Sequence, residues 1–240
     1  MNIIHLAVAA TAAALALPAS AATLNFKATL DDLSGLGGSG VAKLQYDNVA
    51  QTLAVSIRGE GFAPNMLHVQ HIHGPIDAAG NAVDAVSPTL ANDADGDGVV
   101  ELLEGLPLYG GILLNLTDER QADNGFMGFP AVTDTDKGTL TFDAVYDLAT
   151  TTAFNTGVTA KDLFPLAFRE IVIHGAFLPA GVGGVGNETA GDPLLASGGY
   201  SNLVPVAAGE ISAVPLPASG VLLIGALGGM GALRRARRRA

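Results

Sequence analysis

"GVAKLQYDNVAQTLAVSIRG", residues 40–59, decides the fold class. On either side of Asp47 and Asn48, polar residues alternate with aliphatic, β-branched or aromatic ones, the period-2 pattern of a strand with one wet face and one dry face. Asp47 and Asn48 fall where a tight turn needs side chains that bond back to their own backbone. The stretch therefore predicts two antiparallel strands joined as a hairpin. Working outward, the same mixture recurs at 23–30, 66–74, 111–117, 138–148 and 169–178. Strands in this number, separated by Gly-, Asn- and Asp-rich connections, predict an all-β antiparallel sandwich. Helical periodicity is scarce: "TAKDLFPLAF", 159–168, predicts one short helical turn, limited by Pro165. The Gly-rich stretches 76–98 and 179–210 are expected to be long loops, the second leading into a spacer. The expected organisation is a folded domain over 22–180 and a closing loop and spacer over 181–213.

The two ends differ from this body. Residues 3–17 are an almost unbroken apolar run, and Ala19, Ser20 and Ala21 form the small-residue pattern that a signal peptidase accepts, so 1–21 is expected to be a signal peptide. From Leu216 to Leu233 eighteen residues carry no charge, close to the shortest helix that spans a hydrocarbon core of about 30 Å. Five arginines follow at 234, 235, 237, 238 and 239, a cluster expected on the cytoplasmic side. The precursor would then lie across the inner membrane with its body outside. All 23 acidic residues but only seven of the twelve basic ones lie between the ends, giving the body a formal charge of −16. Such a surface repels nucleic acid and anionic lipid and favours cations or cationic partners. The chain has no cysteine, so disulfides contribute nothing.

Val214, Pro215, Leu216, Pro217 and Ala218, then an apolar span, then an arginine cluster, resemble the VPLPA variety of PEP-CTERM sorting signal. The resemblance implies processing by an exosortase-type membrane peptidase and delivery to the cell envelope or beyond. It also implies a matrix setting in which a polysaccharide or a surface protein would be the partner.

"NMLHVQHIHGP", 65–75, holds three of the five histidines. On a strand, His71 and His73 share one face, where same-side neighbours stand about 6 to 7 Å apart, and His68 takes the other. Two imidazoles at that spacing reach a common ion about 2 Å from each nitrogen. "REIVIHGAF" offers His174 as a third ligand from another strand, again just before a glycine. Together the three would hold copper or zinc, with Asp84 or Asp77 as a fourth ligand or as an orienter of a ring. The competing reading is that these rings cap the strand by bonding loop carbonyls.

Residues 24–116, above all "HIHGP" at 71–75, together with "IVIHGAF" at 171–177, resemble a CHRD (chordin-type) domain. That resemblance implies an immunoglobulin-like β-sandwich and names no reaction. Copper/zinc superoxide dismutases also carry H-x-H on a β-sandwich, but five histidines and no cysteine are too few for that two-metal centre.

"NDADGDGVVELLEG", 92–105, has its own signature. Counting from Asp93, Asp95, Asp97, Glu101 and Glu104 fall at positions three, five, nine and twelve of an EF-hand-type calcium loop, with Gly98 at the sharp turn and the Val99 carbonyl as an oxygen ligand. Pro88 before it and "GLPLYGG" after it argue against the usual flanking helices, so a calcium loop embedded in a β-domain is expected; a solvated acidic turn is the plainer alternative. The sequence offers no G-x-S-x-G elbow, H-E-x-x-H helix or phosphate-cradling loop. The composition therefore favours a structural or binding module over an enzyme, and a copper or zinc oxidoreductase or hydrolase as the enzymatic alternative.

Overall fold

In the computed structural model, residues 23–33, 35–121, 127–132, 134–183 and 197–215 are described. The predicted hairpin is present as β2 (Ser39–Asp47) and β3 (Thr52–Glu60), and β1 (Thr23–Asp32) pairs antiparallel with β2 on its other side. The Asp47 carboxylate accepts the N–H groups of Val49 and Ala50, both at 2.8 Å, which closes the β2–β3 turn as its position in the sequence required. β3 then pairs with β6 (Leu140–Asp147). These strands alternate strictly, with Leu53, Val55 and Ile57 of β3 and Leu140, Phe142, Ala144 and Tyr146 of β6 turned inward.

The other half comprises β4 (Gln70–Gly74), β5 (Gly111–Asn115), β7 (Glu170–Leu178) and β8 (Gly199–Glu210), and a short β9 (Ser212–Ala213) pairs with β1. The strands form one continuous antiparallel sheet in the order β5-β4-β7-β8-β1-β2-β3-β6. β1 joins the halves, pairing β2 along most of its length and β8 through Asp31 and Asp32. The sheet curls so that both halves contribute to one apolar core, in which Leu44, Leu53 and Ile57 meet Ile72, Leu114 and Ile171. Burying each such side chain contributes about 1.5–3 kcal/mol.

Two expectations are corrected. The stretch 199–210, read as part of a spacer, is the longest strand, and it lies inside the sheet between β7 and β1. Residues 204–209 of it are buried on both faces, which erases the alternation that reveals a strand, and Pro205 and Gly209 mimic loop signals. Pro205 is tolerated because it sits opposite His174, where the β7–β8 register is irregular and the ladder needs no donor. The second correction is a helix, α1 (Leu102–Tyr109), directly after the acidic loop and with Pro107 inside it. Pro107 falls at the sixth position of an eight-residue helix, so it misses only one internal hydrogen bond. The turn expected at 159–168 is present as two 3-10 segments, Ala160–Leu163 and Leu166–Phe168, separated at Pro165.

The segment from Pro75 to Gly110 covers the outer face of β4, β7 and β8. There Tyr109 of α1 packs with Leu33, Val172 and Ala208 in a second, small apolar cluster. Consequently β4 is buried throughout and β7 almost so. No helix among the described residues is long and apolar enough to cross a membrane. The expected signal peptide, with Ala19 and Ala21, and the expected span with Leu216, Pro217 and Ala218 lie outside the described residues; Val214 and Pro215 end the described chain.

Candidate metal centre

The covered face of β4 and β7 is where the histidines meet. Antiparallel pairing sets His71 opposite Val172 and His73 opposite Glu170, so alternation puts Glu170, Val172 and His174 of β7 on the same face as the H-x-H pair. One ligand atom from each of His71, His73 and His174 lies within 4.8 Å of the others. The ring centroids are 5.3 Å apart for His71–His73, 5.4 Å for His71–His174 and 5.9 Å for His73–His174. All three are buried, at 5 %, 1 % and 3 % exposure.

Backbone carbonyls fix two of the tautomers. His73 Nδ1–H donates to the Gly110 carbonyl at 2.9 Å and His174 Nδ1–H to the Leu203 carbonyl at 2.7 Å. Since a carbonyl only accepts, each Nε2 is left as a lone pair. His73 Nε2, His174 Nε2 and His71 Nδ1 are buried and have no hydrogen-bond partner. The two readings of these rings, carbonyl-capping and metal-ligating, are therefore compatible: one nitrogen orients the ring and the other is free, the arrangement by which metal-binding histidines are held. The irregular β7–β8 register, with His174 opposite Pro205 and Ala176 opposite Ser201, leaves Asn202, Leu203 and Val204 out of the pairing and brings the Leu203 carbonyl to His174.

Burial keeps the rings neutral. Loss of hydration pushes His73 down to about 3 and His174 down to about 4, and it takes His71 well below the ordinary histidine value with help from the neighbouring His174 and His73. Neutral imidazole is the form that binds a metal. A cavity of about 250 Å3 opens onto the three rings, walled by Leu102 and Leu106 of α1, by Ile112 and Leu203, and by the amides of Asn155 and Asn202. An ion held there would have protein on one side and this cavity on the other, the layout of a site with an open coordination position.

His68 takes the other role. Its Nδ1 and Nε2 lie 3.1 and 3.0 Å from the carbonyls of His174 and Ala63, which ties two backbone segments together. Gly175, after His174, has φ +120°, and a Cβ there would collide with the Tyr200 hydroxyl and approach His68 Nδ1 to 3.0 Å. The glycine thus admits packing partners rather than a fourth ligand. Asp84 is exposed and stands outside the histidine group; its charge acts on Arg169. Asp77 closes its own turn, accepting the N–H groups of Ala79 and Asn81. Arg169 is buried against the carbonyls of Leu163, Pro75, Val83 and Asp162. The orienting carbonyls of Gly110 and Leu203 were not legible in the sequence, since a backbone carbonyl has no residue signature.

The acidic loop also draws its ligands together. Asp93, Asp95 and Glu104 form one group with oxygens within 4.8 Å, and Asp95, Asp97 and Glu101 form another. Asp93 accepts the N–H groups of Gly96 and Gly98, at 2.7 and 2.8 Å, and Gly98 has φ +93°, the left-handed turn its position demanded. Asp95 accepts from Asp97 N–H, and Asp97 accepts from Val99 N–H. Glu104 accepts from Ala94 and Glu101 N–H, at 2.6 and 2.9 Å. Glu101 differs: it has no exposed surface, and its carboxylate has the Glu104 carboxyl beside it rather than a backbone donor. Burial, then Glu104 beside it and the charges of Asp97 and Asp95, raise its affinity for a proton. No protein-family model matches this chain, and no curated protein matches it either.

Proposed function

We propose that this is an exported metalloprotein whose His71, His73 and His174 hold a single copper or zinc ion facing a small-molecule cavity. The observation that carries this reading is the convergence of three buried imidazole nitrogens without donors. Leaving such acceptors unpaired costs about 1–3 kcal/mol each, which a bound ion offsets. The donor set of three neutral imidazoles suits copper or zinc. Such an ion would supply Lewis-acid chemistry or, if copper, one-electron chemistry. Leu102, Leu106, Ile112 and Leu203 would give the open cavity an apolar wall, and Asn155 and Asn202 would orient a ligand. No carboxylate among the described residues lines the cavity to act as a general base, which favours copper-based redox chemistry over hydrolysis.

The setting follows from the ends of the chain: removal of 1–21 by a signal peptidase, processing at the VPLPA motif by an exosortase-type peptidase, and residence in the envelope or matrix. The finer fold reading is an immunoglobulin-like sandwich of the CHRD type, supported by the curled antiparallel sheet and the HIHG element. A structural role beside an extracellular polysaccharide or surface protein is the second reading, favoured by the acidic body. Elemental analysis and electron paramagnetic resonance of the purified full-length chain test the first. One copper per chain with nitrogen hyperfine structure, lost in His71→Ala, is expected; metal at background level, or metal unchanged in His71→Ala, refutes it.

A further inference from the structure

We propose that a calcium ion in the acidic loop, with Glu101 as a direct ligand, sets the position of α1 and thereby tunes the affinity of the three-histidine centre. The coupling rests on the metal reading above; the calcium site stands apart from it. An acidic loop alone would be an ordinary solvated turn, but Glu101 makes this one different. A carboxylate with no exposed surface and no N–H donor on either oxygen is left to a proton shared with Glu104 or to a cation. Its neighbours in space are Asp95 and Asp97, and Asp95 also belongs to the group with Asp93 and Glu104. Two groups of three carboxylates thus adjoin through Asp95. Each engaged carboxylate keeps lone pairs beyond those its backbone N–H partners use, so the loop can bind a hard cation through oxygen with little rearrangement, as calcium prefers.

The route to the histidines is short and covalent at both ends. Glu101 is the residue that caps the start of α1, and Glu104 lies in its first turn. Leu102 and Leu106, one turn apart, form the cavity wall over His71, His73 and His174. Tyr109, in the last turn, packs edge-on against His73 at 4.8 Å and donates its hydroxyl to the Leu102 carbonyl at 3.0 Å, tying the ends of the helix together. Gly110, the residue after α1, supplies the carbonyl that orients His73. Eight residues at about 1.5 Å each make a strut of roughly 12 Å. A ligand pulled in by the ion at one end therefore moves the orienter of a metal ligand at the other. This contiguous chain of contacts gives a route by which occupancy of one site can bias the other.

Two titrations on the purified, chelator-stripped full-length chain test this. Calorimetry with calcium chloride alone is expected to show one ion per chain with millimolar or tighter affinity, lost in Glu101→Gln and in the exposed-site variant Asp95→Asn. No heat up to roughly 10 mM, or heat unchanged in both variants, overturns the site. Cobalt(II), read by its visible ligand-field band, then reports the histidine centre. Saturating calcium is expected to raise cobalt affinity at least about fivefold in the wild type and not in Asp95→Asn, whose far-ultraviolet circular dichroism checks folding. Calcium binding with unchanged cobalt affinity overturns the coupling. Absence of a cobalt band sinks the histidine reading and the coupling with it, while the calcium titration still decides the acidic loop.

Discussion

The histidine centre and the acidic loop sit at opposite ends of α1 and are built in opposite ways. At the histidine centre the free groups are rigid and buried, each ring held by strand pairing and two of them by a backbone carbonyl. In the acidic loop Asp93, Asp95, Asp97 and Glu104 already accept backbone N–H groups, whereas Glu101 has only the Glu104 carboxyl beside it. The first is a rigid set of nitrogens whose burial without donors costs desolvation at each ring. The second is a turn that stays folded with most of its carboxylates capped by its own backbone, so a bound cation would add order to a structure already in place.

That contrast is broken most directly by His71→Ala, which removes a ligand from the histidine centre. Copper or zinc affinity is expected to fall by more than the roughly 10- to 100-fold that losing an orienting partner costs, by elemental analysis after dialysis, while calcium-dependent melting persists. Glu101→Leu sharpens it from the other side. Replacing a buried carboxylate that lacks an N–H donor by an apolar group of similar size is expected to stabilise the calcium-free protein by about 1–3 kcal/mol and to abolish its thermal response to calcium, read by differential scanning calorimetry. If the variant is less stable than wild type without calcium, Glu101 is satisfied in some other way.

Gly175→Ala places a methyl group against Tyr200 and His68 at a left-handed φ, and should cost about 1–3 kcal/mol and loosen His174. Chemical denaturation measures the first effect and cobalt affinity the second. A smaller effect concerns pH. In the unfolded chain His73 titrates near its ordinary value, whereas in the metal-free fold it stays neutral down to about 3. The unfolded state therefore binds the extra proton between those limits. The stabilisation is fully present above roughly pH 6.5 and is lost as pH falls toward 3. Relative to His73→Phe, which cannot titrate, the unfolding free energy of the wild type from urea titration should drop by about 1.4 kcal/mol per pH unit in that window; parallel profiles would contradict the neutral, buried ring. Last, Asp84→Ala should leave metal content unchanged, because Asp84 is exposed and stands apart from the three rings; a loss would extend the centre into the loop after β4.

Much of this arrangement is legible along the chain, and unevenly so. β2, β3 and β6 alternate because one face meets water, so their residues announce them. β8 is masked because both faces of its residues 204–209 are buried and it carries Pro205 and Gly209. α1 is masked by Pro107, which a helix tolerates near its end. Asp84 was a reasonable fourth ligand by proximity in sequence, but its loop turns it to solvent and toward Arg169.

By itself the sequence determined what depends on near neighbours: the strand period, the Asp47 turn, and the twelve-residue spacing of the acidic loop. These are local because a dihedral pattern or a curled loop needs only a few consecutive residues to express it. Only the tertiary structure decided that His174 stands beside His71 and His73, that the Gly110 and Leu203 carbonyls orient two of those rings, and that Glu101 is shut away from water. The reason is that burial and ligand convergence arise between segments about a hundred residues apart, where register and covering chain, rather than residue type, set which nitrogen is left without a partner.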